Sequence, residues 1–188
     1  NENAYCTFDK GVAHFSGDFS HLQEVKILSG SQDSSYTWMW GVSNVNNDDL
    51  YGQETGGTFL GVFAEYHSNY AHYFYGLHEE DGGTGYESEV NNKIDDTIYY
   101  NKITRDEAVG TYGTIYHRVY SDSARTTLLT TQSIALHTSL KDYQYLFAVS
   151  SFEAGGTAWQ SGWMGNLNLQ EPAVVSAPSM EVLIIDEE

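Results

Sequence analysis

The chain has 188 residues, of which 26 are acidic and eight basic, giving a formal net charge of -18. That length suits one domain able to bury a core without disulfides. A surface of that sign repels both nucleic-acid phosphates and anionic lipid head groups, so neither nucleic-acid binding nor membrane insertion is expected. Aromatics make up 14% of residues, with fifteen tyrosines, eighteen glycines and only two prolines, a mix that fits pleated surfaces and predicts an all-β chain.

Cys6 is the single cysteine, which excludes an intrachain disulfide, and beside the first strand it reads as a small buried hydrophobe. No apolar run approaches the ~20 residues that a membrane-spanning helix requires. No cleavable signal opens the chain, which starts at Asn1 and so reads as a mature product or a fragment of something longer.

In chain order, "YCTFDKGVAHFSGDF" predicts a first strand and a glycine-bounded second, "EVKILSG" a third and "SYTWMWGVSN" a fourth. The polar loop "NVNNDDLYGQETGG" follows. Then "TFLGVFAEYH" and "YAHYFYGLH" form two strands joined by a tight turn at "HSN". A second polar region, "EEDGGTGYESEVNNKIDD", leads to "TIYYNKITR". Next, "GTIYHRVYS" alternates Ile115, His117 and Val119 against Thr114, Tyr116, Arg118 and Tyr120, and the turn "DSART" leads into "TLLTTQSI". "YQYLFAVSSFE" and "SGWMGNLNLQ" bring the total to about a dozen strands. No segment carries a 3.6-residue apolar period of helical length, although "SLKDY" suits one turn, and no internal repeat is present. The final "EPAVVSAPSMEVLIIDEE" reads as a linker and tail with one more strand-like run.

Three stretches, "FDKGVAHFSGDFSHL", "TIYYNKITRDEAVGTYGTIYHRVYSDSARTTLL" and "YLFAVSSFEAGGTAWQSGWMGNLNL", resemble in order and spacing the strands of laminin G-like domains in the concanavalin A-like lectin and glucanase superfamily. The wording "YSDSART" is similar to environmental and phage-associated members. The resemblance covers most of residues 1–170, taken as one laminin G-like domain, with 171–188 as linker and tail. It implies a two-sheet antiparallel β-sandwich of jelly-roll type. It does not fix an activity, because that superfamily holds lectins, adhesion domains, glycanases, lyases and virion surface proteins.

Residue chemistry selects the candidate sites. On one strand, His72 and His78 share a face but stand six residues, roughly 20 Å, apart. His67 can meet His72 across the hairpin, but no HExxH or CxxC pattern completes a zinc shell. For sugar stacking, Tyr73, Tyr75 and Leu77 share one face, Tyr70, His72 and Phe74 the other, and Tyr66 joins either. Tyr36, Trp38, Trp40 and Val42 point one way and read as core, whereas Trp159 and Trp163 flank a glycine-bearing turn. The carbohydrate-binding candidates are therefore Tyr66, Tyr70, Tyr73, Tyr75, Trp159 and Trp163. Calcium, which favours loop carboxylates, is expected at Asp48, Asp49 and Asp81 if anywhere.

Catalysis has its own candidates. "YESEV" sets Glu87 and Glu89 at i, i+2, a spacing open to glycoside hydrolysis. The superfamily's glucanase pattern E-x-D-x-x-E is nonetheless absent, and three arginines (Arg105, Arg118 and Arg125) offer little cation to neutralise a uronate. Asp122 and Ser123 shape a turn in which Arg125 is expected to pair with an acid such as Asp122.

The resulting expectation is a non-enzymatic, lectin-like module, secreted or displayed on a cell or virion surface, whose partner is a polysaccharide or glycan. The alternative is a structural or decoration protein that packs against other subunits, its tail adding a strand to a neighbour's sheet. A glycoside hydrolase or polysaccharide lyase ranks below both.

Overall fold

A computed structural model describes residues 4–30, 35–46, 49–54, 56–67, 72–93, 95–137, 142–151 and 160–171. Within them, eleven strands form two antiparallel sheets. One sheet has six strands in the order β1 (Ala4–Asp9), β10 (Tyr145–Ser151), β3 (Ser35–Ser43), β4 (Thr58–His67), β5 (His72–Asp81) and β6 (Gly85–Lys93). The other has five, in the order β11 (Gln160–Asn168), β2 (Phe19–Gly30), β7 (Tyr99–Asp106), β8 (Thr114–Tyr120) and β9 (Leu128–Ala135). The fold is the expected β-sandwich.

Alternation builds the core between the sheets. On β7 every second residue, from Tyr99 to Arg105, is buried, and β2 buries His21, Gln23, Val25 and Ile27 in the same rhythm. These meet Met39, Trp40, Val62, Tyr73, Tyr75 and Leu77 from the six-stranded sheet. Each such apolar side chain contributes about 1.5–3 kcal/mol by leaving water.

Two histidines inside this layer are neutral. The His117 Nδ1 accepts from the Gln132 side-chain amide at 2.8 Å, so its Nε2–H donates to Asn101 Oδ1 at 3.1 Å. Burial pulls the His117 imidazole down to about 3, with Lys93 adding to the effect. His21 accepts from the Trp40 indole N–H at 3.0 Å and is pulled down to about 4, chiefly by burial.

A second apolar layer lies on the outer face of the six-stranded sheet, where Trp38, Leu50, Phe59, Phe63, Phe74 and Phe147 are sealed together. Leu50 comes from a one-turn helix, α1 (Leu50–Gln53), inside the stretch that the sequence reads as polar loop. Asp49 caps it by accepting from Gly52 N–H at 3.0 Å.

The expectation that Trp38 and Trp40 share a face fails. The β3–β4 register shifts between them, pairing Trp38 with Phe63 but Trp40 with Val62. This β-bulge sends Trp38 to the outer layer and Trp40 to the core between the sheets. Both tryptophans are buried, as the core assignment requires.

Other departures are local. The stretch from Lys10 to Asp18 is mostly turn, with Phe15 bridged to Tyr143 rather than forming a strand of its own. β6 occupies the region taken as a polar spacer; it is an edge strand with largely solvent-facing side chains, which leaves no apolar alternation to read. Cys6 is exposed, not buried, because β1 is the edge of its sheet. The "HSN" turn falls mostly, and "SLKDY" largely, outside the described residues, and so does the tail after Glu171.

Candidate functional site

The expected aromatic platform does not stand open. Tyr73 and Tyr75 alternate as foreseen, but their face is the one packed between the sheets. Both side chains are fully buried, so they cannot stack on a ligand from solvent, and burial raises both phenols. The Tyr66 backbone pairs with Tyr73 on β4–β5, but its side chain, like Tyr70, Trp159 and Asp48, lies outside the described residues. Trp163 is on β11 with 39% of its surface exposed. Of the calcium candidates, buried Asp49 caps α1, and half-buried Asp81 opens the β5–β6 turn through backbone bonds with Thr84. Among the described residues no three His, Cys, Asp or Glu side chains gather as a metal-binding group.

The outer face of the six-stranded sheet holds a cluster of ionisable groups beside its aromatic layer. Antiparallel pairing puts Glu87 opposite His78 and Glu89 opposite Gly76. His78 contacts Glu87 Oε1 through Nδ1 at 2.9 Å and Glu80 Oε2 through Nε2 at 3.2 Å. Burial alone would lower this imidazole; the bond and charge of Glu87, with Glu80 and Glu54, raise it instead. The neighbouring Glu54 carboxyl is pushed up to about 7, first by burial and then, against His78, by Glu87, Glu80 and Asp49.

The cluster is closed from above. His78 and Glu80 are buried, and a Cβ on Gly85 would stand 2.9 Å from His78 Cε1. Glu87 faces solvent, but it is already bonded to His78, so the Glu87 and Glu89 pair is not an open pair of carboxyls flanking a groove.

The five-stranded sheet presents a different outer face. Alternation turns Lys26 on β2, Tyr100, Lys102 and Thr104 on β7, and Tyr116, Arg118 and Tyr120 on β8 away from the core. Register then sets Tyr100 opposite Tyr120, Lys102 opposite Arg118 and Thr104 opposite Tyr116. At one edge, Trp163 sits beside Lys26. Three inter-strand steps, about 14 Å, separate β11 from β8.

Two guanidinium groups are held in place on this face. Arg118 donates to Thr104 Oγ1 at 2.8 Å and lies over the Tyr116 ring at 4.7 Å. Arg125 does not pair with Asp122. It reaches back to the carbonyls of Asn101, Ser123 and Gln23 at 3.1–3.2 Å and lies over the Tyr100 ring. Asp122 instead accepts from the backbone N–H groups of Thr126 and Thr127, which hold its carboxyl below the usual range.

The sequence reading missed Tyr100, Tyr116, Tyr120, Lys26 and Lys102 as site residues. A signal was present in "GTIYHRVYS", where Tyr116, Arg118 and Tyr120 alternate with Ile115, His117 and Val119; in "TIYYNKITR" it was blurred, because Tyr99 and Arg105 fall on the inward set. What the sequence lacked was the register that places two such strands side by side.

Comparison with known proteins supports the architecture. The sequence matches no protein-family model and no curated protein. Among solved structures, the chain is similar to a functionally unknown protein from Saccharomyces cerevisiae at 14% identity and a TM-score of 0.52, over 89% of this chain and 73% of that one. It is similar to the alginate lyase Aly36B at 15% identity and a TM-score of 0.51, over 87% and 72% of the two chains. A single mutant of congerin II aligns over 88% of this chain and all of its own, at 10% identity and a TM-score of 0.46. What this chain shares with the first two is the fold, a two-sheet antiparallel β-sandwich.

Proposed function

We propose that this chain is a non-catalytic carbohydrate-binding module that engages a saccharide on the outer face of its five-stranded sheet. The observation that carries this reading is the open set of rings and hydrogen-bonding groups there. Trp163 and half-buried Tyr120 have no ring partner among the described residues, while Thr104, Thr131 and Ser133 lie along the same face. Flat rings stack on the apolar faces of sugars, and hydroxyls and charged donors then fix orientation. By contrast, the aromatic layer on the six-stranded sheet is sealed, and His78 and Glu80 of the cluster beside it are buried among the described residues.

Within the jelly-roll fold we group the chain with laminin G-like domains on its strand wording, and we place it on a cell or virion surface or in the extracellular medium. Calcium at the Asp48–Asp49 loop or Asp81 is part of this proposal, to be tested with it. A glycan array run with calcium and with EDTA is the test. Saturable binding supports the module; symmetric oligomers without glycan binding would favour a structural subunit. Reducing-end release from a polysaccharide panel, abolished by Glu87→Gln, would make it an enzyme instead.

A further inference from the structure

Lys102 and Arg118 stand directly opposite each other on β7 and β8. Like charges in that position, with backbones about 4.5–5.5 Å apart, are destabilising. The chain has only eight basic residues against 26 acidic ones, so oppositely charged neighbours were abundantly available. Two of the eight are nonetheless set against each other, and Arg125 is added over Tyr100 on the same face.

None of the three is neutralised from within. Among the described residues, no carboxylate lies within ion-pair distance of Lys102, Arg118 or Arg125; the two arginines are partnered by a hydroxyl, backbone carbonyls and tyrosine rings. Nearby acids are engaged elsewhere: Glu24 accepts from Asn166 at 2.8 Å, and Asp96 pairs with Lys26 at 2.6 Å. An arginine stacked on a tyrosine with one donor already fixed is pre-organised, and its remaining N–H groups suit a planar carboxylate or a sulfate.

We infer that the saccharide recognised by this face is anionic, with a carboxylate or sulfate seated between Lys102 and Arg118 and within reach of Arg125. This rests on the reading of the same face as the saccharide site. The net charge of -18 does not oppose it at close range, since at physiological salt charges more than about 8 Å away are largely screened. Local cations therefore decide the bound state, and the distant acids mainly slow the approach of a polyanion.

The test is calorimetric titration at 0.15 M salt with hexagalacturonate, its fully methyl-esterified form, a sulfated galactan hexamer and a twelve-residue oligothymidylate, using the wild type and the Lys102→Gln/Arg118→Gln double variant. Expected is binding of an acidic hexamer about tenfold or more tighter than the ester, the size of one or two charge-assisted hydrogen bonds. The double variant should lose that preference while still melting cooperatively, since relief of the like-charge pair offsets part of the lost Arg118 bond to Thr104 and contact with Tyr116; Lys102→Gln alone, which breaks neither contact, should melt no lower than the wild type. Which acidic hexamer binds separates carboxylate from sulfate. Equal affinity for acid and ester would overturn the charge assignment yet leave saccharide recognition standing. Oligothymidylate binding as tight as the acidic hexamers would overturn the assignment to a saccharide. No binding to any hexamer, together with a blank glycan array, would remove both.

Discussion

Trp38 and Trp40, two positions apart on β3, point to opposite faces of the six-stranded sheet. The register shift between them lets one short segment serve two apolar layers, with Trp40 joining the core between the sheets and Trp38 the layer outside. The outer layer rests on glycines. A Cβ at Gly61 would fall 2.6 Å from the Trp38 ring, and one at Gly76 within 1.9–2.5 Å of three Phe63 ring atoms.

Gly61→Ala and Gly76→Ala are therefore expected to destabilise the fold by about 1–3 kcal/mol each, the usual cost of overpacking. Urea unfolding checks this. Gly82→Ala is a poor control despite its open surroundings, because its φ of +59° favours glycine; a fairer one is Ser133→Ala on an exposed strand position.

Stability should pass through a maximum near pH 6.5. His117 and His21 have folded values lowered to about 3 and about 4. The unfolded chain therefore binds more protons as pH falls below 6.5, and stability drops by up to about 1.4 kcal/mol per pH unit for each histidine. Glu54, raised to about 7, and His78, also raised, act in the other direction. Glu54 stabilisation is present below the usual carboxyl range and fades as pH rises through about 7, while that of His78 is full below 6.5 and fades above it. Urea midpoints at pH 4.5, 5.5, 6.5 and 8 should trace this curve, with His117→Gln flattening the acid side.

Arg125 is expected to be structural as well as ligand-facing. Its bonds to the Gln23 and Asn101 carbonyls tie the 121–127 turn onto β2 and β7, and its bond to the Ser123 carbonyl closes the turn on itself. Arg125→Ala should cost about 1–3 kcal/mol, and Arg125→Lys should recover little, since an ammonium cannot reproduce the planar fork. Thermal melts of the two variants measure it.

Part of the fold could be read from alternation. β7 and β8 each carry a clear period of two, whereas β4 and β5 are buried on both faces and read as short, nearly continuous apolar runs bounded by turn residues. β6 was hidden because an edge strand with one wet face and few apolar residues looks like a loop. The bulge at Trp38–Trp40 was hidden because a one-residue insertion in the pairing leaves no mark in composition. For the site, Tyr73 and Tyr75 were assigned to one face correctly, but a chain of fifteen tyrosines does not say which face is wet. The count of three arginines argued against an acidic ligand; two of them, with Lys102, lie on one face because register and a folded-back turn place them there.

The most direct measurement is the affinity of an array-selected oligosaccharide for the wild type, for Trp163→Ala/Tyr120→Ala and for Glu87→Gln. One aromatic contact contributes about 0.5–1.5 kcal/mol beyond its buried area, so the double variant should bind roughly tenfold or more weakly, while Glu87→Gln, on the opposite face of the sandwich, binds as the wild type does. Undiminished binding by the double variant would contradict the assignment to the open rings of the five-stranded face, and loss of binding in Glu87→Gln would place the saccharide on the six-stranded sheet instead.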